Sequence, residues 1–176
     1  MGCLCCCCKK QQPIKMEEKI LPPPIDIQAL LRKYAHLVTE WVVQENEADI
    51  LRIIKEGFSP DLIFDAGGYE TTILILTIAF KKDKLTQAVL NHPQNLNVVV
   101  KPNNDSALVM AISHRNVHIT ELLLQKGANR NILGPEGKSP VELATKQLNQ
   151  CKESSDEQGV QVMGEIKNML QNYLQN

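Results

Sequence analysis

Residues 72–97 can be laid over residues 106–131 without a gap, at an offset of 34. The overlay pairs Leu74 with Leu108, Ile78 with Ile112, Leu85 with Ile119 and Thr86 with Thr120. It also sets Val89 and Leu90 over Leu123 and Leu124, Asn95 over Asn129, and Asn97 over Asn131. A period of this length belongs to architectures built from one helix-turn-helix per unit, and such a unit cannot bury its apolar face alone. The core must therefore lie between units. Composition agrees: 43% of the residues are hydrophobic but only 4% are aromatic, and the apolar content is mostly Leu, Ile and Val. That balance suits stacked helices better than a β-sandwich, so the expected fold class is all-α.

The tetratricopeptide and ankyrin families share this period, and individual residues separate them. Ser106-Ala107-Leu108-Val109-Met110-Ala111 sits where ankyrin repeats carry Thr-Pro-Leu-His-x-Ala. The run from Glu121 through Leu123, Leu124, Gly127, Ala128 and Asn129 to Asn131 resembles the Leu-Leu-x-x-Gly-Ala-Asp-x-Asn ending of that family. Gly137-Lys138-Ser139-Pro140-Val141-Glu142-Leu143-Ala144 matches the start of a further unit. Proline in a first helical turn and glycine after a second helix are what this geometry requires. The chain thus resembles an ankyrin-repeat protein. Its repeats are degenerate: Ile75, Val109 and Glu142 replace the histidine of the tetrapeptide, and Pro93 replaces a terminal glycine.

The resemblance implies a solenoid of about four units, near 30–65, 66–101, 102–134 and 135–174, within a domain spanning 26–176. Asp26 is a candidate N-cap for one or two helices over 26–44, with Ile27, Leu30, Leu31, Tyr34, Val38, Trp41 and Val42 at helical intervals. Glu45-Asn46 interrupts the pattern, and Ile50, Leu51, Ile53 and Ile54 resume it up to Gly57. The polar stretch 150–159 reads as a loop. An amphipathic closing helix is expected after it, carrying Val162, Ile166, Met169, Leu170 and Tyr173.

Five of the six cysteines fall in the first eight residues, and only Cys151 lies in the rest of the chain. A disulfide framework would spread them through the fold, so the body reads as a protein of a reducing compartment. Met1-Gly2-Cys3, followed by Cys5, Cys6, Cys7 and Cys8, resembles the dual-acylation start of membrane-tethered signalling proteins. It implies myristate on Gly2 and palmitate on the thiols of residues 1–10. Cys6 stands where that motif usually has Ser or Thr. One acyl chain binds a bilayer only marginally, at about 0.8 kcal/mol per buried methylene before losses, so a second is needed. Lys9 and Lys10 could add about 1 kcal/mol each near an anionic leaflet. Residues 11–25, with Pro13 and Pro22-Pro23-Pro24, read as an extended spacer. The expected location is the cytosolic face of a membrane, or a host membrane if the protein is a bacterial effector acylated by host enzymes. A cysteine-rich metal-binding or redox protein is a further alternative, although adjacent cysteines are poorly spaced for tetrahedral zinc.

Basic and acidic residues balance, 19 against 20, which argues against nucleic acid as a partner. No apolar run approaches the roughly 20 residues of a membrane-spanning helix, and no secretory signal is evident. His114 and His118 are four apart, but the repeat register sets a turn between them, so no metal site is expected. Gly67-Gly68 lacks the Lys and Ser or Thr of a phosphate loop. No catalytic constellation, cofactor or small-molecule substrate is implied. Recognition of a protein partner is the expected function. In the geometry the resemblance implies, the turn tips fall at Tyr69, Glu70, Asn103, Asn104, Glu136 and Lys138, and the concave helical positions at Phe80, Met110 and His114.

Overall fold

The structure is a computed structural model that describes residues 26–173. Gly2 and the five N-terminal cysteines, read above as acylation sites, lie outside the described residues, as does the proline spacer. Among the described residues the chain is mostly helical. The helices are α1 (Ile27–Val43), α2 (Glu47–Lys55), α3 (Ile73–Ala79), α4 (Asp83–Leu90), α5 (Ala107–Ser113), α6 (Val117–Gln125), α7 (Pro140–Glu153) and α8 (Glu157–Asn172). One short hairpin, β1 (Phe64–Asp65) and β2 (Glu70–Thr71), stands between α2 and α3.

Each odd-numbered helix packs on the even-numbered helix that follows it. The odd helices also pack on one another in sequence, as do the even ones, so the chain forms two helical layers. Local chemistry sets where the odd helices begin. Asp26, Thr72, Ser106 and Ser139 each accept a hydrogen bond from the backbone N–H three residues on, filling one of the helix's orphan donors. Ser139 adds a full capping box with Glu142, and Pro140 occupies the first turn, where its missing N–H costs nothing.

The corners within pairs share one construction. Glu45, Lys81, Arg115 and Ser155 all have φ of 55–56°. At each corner this residue donates to the carbonyl three residues back, and its successor donates five residues back. Those second bonds are Asn46 to Trp41 at 2.8 Å, Lys82 to Thr77 at 2.9 Å, Asn116 to Ala111 at 3.0 Å and Asp156 to Cys151 at 2.9 Å. This is the Schellman pattern with a non-glycine residue in the left-handed position. In three of the four corners the next residue also caps the following helix with its side chain: Asn46, Asn116 and Asp156. Three side-chain bonds then tie the corner region of one pair to that of the next: Lys82 to Glu45 (2.9 Å), Asn116 to Asp83 (2.8 Å) and Arg115 to Asp156 (2.6 Å).

The core lies between the layers, in the register of the 34-residue overlay. Leu74, Ile78, Leu85, Val89 and Leu90 are buried, and so are Leu108, Ile112, Ile119, Leu123 and Leu124. Thr86 and Thr120 are buried too, each donating its hydroxyl to the carbonyl four residues back. The paired asparagines form a ladder along the loops. Asn97 and Asn131 donate their backbone N–H to the side chains of Asn95 and Asn129, while Asn95 N–H reaches Asp61 (2.8 Å) and Asn129 N–H reaches Asn97 (2.7 Å).

One expectation needs correction in the last pair. Residues 150–159 are not a loop: α7 continues through Glu153, and only Ser154, Ser155 and Asp156 link it to α8. Ala144, Leu148 and Cys151 are buried at intervals of four and three residues, so Cys151 extends an apolar stripe while its polar neighbours face solvent. Gly159 sits in the first turn of α8, where a Cβ would meet Arg115 at 2.7 Å as that side chain crosses to Asp156. On α8 the buried stripe is Met163, Ile166 and Leu170, whereas Val162 and Met169 are only partly buried and Tyr173 is exposed.

Candidate functional site

Three connections project between successive pairs, and each is shaped by backbone bonds and left-handed residues. In the first, Gly67 and Gly68 have φ of 79° and 94°, and Gly68 N–H donates to the Asp65 carboxylate at 2.6 Å. In the second, Val100 and Asp105 exchange both backbone hydrogen bonds, at 2.9 and 3.1 Å, around a tip where Asn104 has φ of 59°. In the third, Gly134 N–H donates to the Lys138 carbonyl at 2.8 Å. A Cβ on Gly134 would lie 2.9 Å from Val109 and 3.1 Å from Leu143, so this connection packs closely against α5 and α7.

Between the first two connections and α3 and α5 lies a groove of about 290 Å³. The buried Ile75, Leu76 and Val100 form its floor, with Ala79 and Met110 beside them. Tyr69, 69% exposed, and Phe80, 43% exposed, present aromatic rings at its sides, and Glu70, Lys101 and Asn103 stand at the rim. Thr39 and Ala66 close the end nearest α1, and a second depression of about 510 Å³ continues from these two residues along Leu31, Ala35 and His36.

The groove gathers five of the nine residues read as partner-binding: Tyr69, Glu70, Phe80, Asn103 and Met110. It does not gather Asn104, His114, Glu136 or Lys138. Asn104 turns back to accept a hydrogen bond from Lys101 Nζ at 2.7 Å. His114 is the C-cap of α5, at the corner edge, where partial burial and then the Lys81 charge push its pKa down. Glu136 and Lys138 form an ion pair with each other on the third connection, and Lys146 of α7 joins at 2.6 Å. Sequence reasoning missed Thr39, Lys101 and Asp105. Thr39 belongs to a helix without repeat signature, and Asp105 carries a signal only as the residue before the Ser106 cap.

Asp105 is half-buried at the groove, and burial raises its pKa against an opposing hydrogen bond from the Asn103 side chain. Glu136 is the opposite case. Hydrogen bonds from Lys138 and then Lys146 hold its pKa down at about 2, from an ordinary 4.5. A depressed carboxyl contributes stability above its unfolded pKa and loses it as pH falls through the folded one. The third connection is therefore expected to keep its ion pairs at pH 5 and release them as pH drops from about 4.5 towards 2. A carboxyl NMR titration of Glu136 checks this, and Lys146→Ala should move the midpoint upward. A wild-type midpoint in the ordinary glutamate range would show that the pairs do not form.

Among the described residues, no three His, Cys, Asp or Glu side chains are grouped to hold a metal ion, and no helix is long and apolar enough to cross a membrane. No protein-family model matches the chain, and no curated protein matches it.

Proposed function

We propose that this chain is an ankyrin-repeat adaptor, tethered to the cytosolic face of a membrane by acylated N-terminal cysteines, that binds a protein partner through the groove between its first two projecting connections. The groove is the observation that carries the reading. It exposes two aromatic rings and sets a partly buried methionine beside an apolar floor, residue types enriched in interface cores, with polar groups at the rim to orient a partner. The ankyrin reading is supported by four helix pairs in two layers, by caps at Thr72 and Ser106 in the 34-residue register, and by a turn before each of the last three pairs. Binding is then a matter of shape and surface, with no catalytic step. The tether is supported by the run of thiols at Cys3 and Cys5 to Cys8.

The experiment uses the full chain in eukaryotic cells with two sets of substitutions. Changing Cys3, Cys5, Cys6, Cys7 and Cys8 to serine is expected to move the protein from the membrane to the soluble fraction. A combined Tyr69→Ala, Phe80→Ala and Met110→Ala variant should stay folded and membrane-bound while losing the proteins captured by the wild type. Unchanged membrane binding in the first set would remove the tether from the proposal. Full retention of the captured proteins in the second would remove the groove.

A further inference from the structure

We propose that the groove takes a lysine or arginine side chain of the partner, with its aliphatic stem on the apolar floor and its cationic head at Glu70 and Asp105. This rests on the reading of the chain as a binding module and names what the groove selects. A groove of about 290 Å³ has room for one long side chain. Long cationic side chains suit such a site because their methylene stems bury well while the head stays at a polar edge.

Charge and aromatic placement point to a cation. Glu70 and Asp105 both line the groove, and neither forms an ion pair among the described residues. Among the described residues, the one cationic side chain in the lining, Lys101, is exposed and directed to Asn104 Oδ1 at 2.7 Å. Tyr69 and Phe80 add exposed aromatic rings, whose faces attract a cation within about 6 Å. An acidic partner residue would meet two carboxylates, and a neutral one would leave the half-buried Asp105 with the Asn103 hydrogen bond but no opposite charge. An arriving cation favours the ionised form of Asp105, whose pKa burial has raised, so binding should weaken in acid.

The test uses the full chain, labelled at its methionine methyls and tyrosines, with two blocked dipeptides as probes: acetyl-leucyl-arginine amide and acetyl-leucyl-citrulline amide. Citrulline keeps the shape of arginine and removes the charge. The arginine probe is expected to shift the Met110 and Tyr69 resonances and to bind about tenfold more tightly than the citrulline probe. Glu70→Gln with Asp105→Asn should erase that difference without changing the helical signal. Equal affinities, or no shift from either probe at millimolar concentration, would overturn the proposal. If the probes show no preference while the Tyr69, Phe80 and Met110 variant still loses its captured proteins, the groove remains a binding site and the cation assignment alone fails.

Discussion

Leu123→Ala is expected to destabilise the chain by about 2–5 kcal/mol, the range for truncating a leucine in a packed core. Leu123 has no exposed surface and lies on α6, the helix that packs on α5, α4 and α8. Its loss therefore opens a cavity where the two layers meet, in a stack that has neighbours on both sides. Its backbone carbonyl also accepts the Ala128 N–H at 2.9 Å, part of the turn that ends α6 and leads into the next connection. Backbone rigidity there limits how far α6 can collapse into the space, which puts the cost well above the transfer energy of the removed methyls. Urea denaturation followed by circular dichroism measures it, as a lower midpoint with an unchanged slope. Leu133→Ala is the control: Leu133 is 55% exposed, and its loss should stay within about 0.5 kcal/mol. Equal effects from the two substitutions would show that the layers do not meet at Leu123.

The second large effect is expected at Asn116, which serves two helix pairs at once. Its Oδ1 accepts from the Ile119 N–H at 3.0 Å and caps α6, while its Nδ2 donates to Asp83 at 2.8 Å in the first turn of α4. Asn116→Ala removes both and should cost about 1–3 kcal/mol, combining a lost cap with a partly buried acceptor left unpaired. Asn116→Asp separates the two roles, because aspartate caps a helix as well as asparagine does but sets a second carboxylate against Asp83. That variant should be less stable than wild type at neutral pH. Added salt screens the repulsion between the two carboxylates, so the deficit should shrink as ionic strength rises. If Asn116→Asp matched the wild type at neutral pH, capping alone would explain the residue and the link between pairs would contribute nothing.

Residues 72–131 were the most legible part of the sequence, and for a local reason. Apolar stripes act over three or four residues, so Leu108, Ile112 and Leu123 carry their signals within a single turn of helix. The offset of 34 then multiplied those signals by repetition. Residues 150–159 misled because their composition is polar, although Cys151 follows Ala144 and Leu148 at helical intervals and continues the buried stripe of α7. The candidate site was half legible. Tyr69, Glu70, Phe80, Asn103 and Met110 were singled out from the family's geometry, but Asn104, His114, Glu136 and Lys138 were singled out by the same reasoning and lie elsewhere.

The sequence by itself determined the helical class, the start of α1 at Asp26, the register of the central core and the concentration of thiols in residues 1–8. Only the tertiary structure decided the corners and the groove. Glu45, Lys81, Arg115 and Ser155 share a left-handed conformation that none of their side chains favours, and what holds it is two backbone bonds per corner. Cross-links such as Lys82 to Glu45 and Arg115 to Asp156 then tie neighbouring pairs together. The groove joins Thr39 of α1 to Met110 of α5, two residues far apart in the chain. Such neighbours meet only once the pairs have stacked. Stacking is driven by burial between layers, which is non-directional and leaves no local mark at the surface positions it brings together.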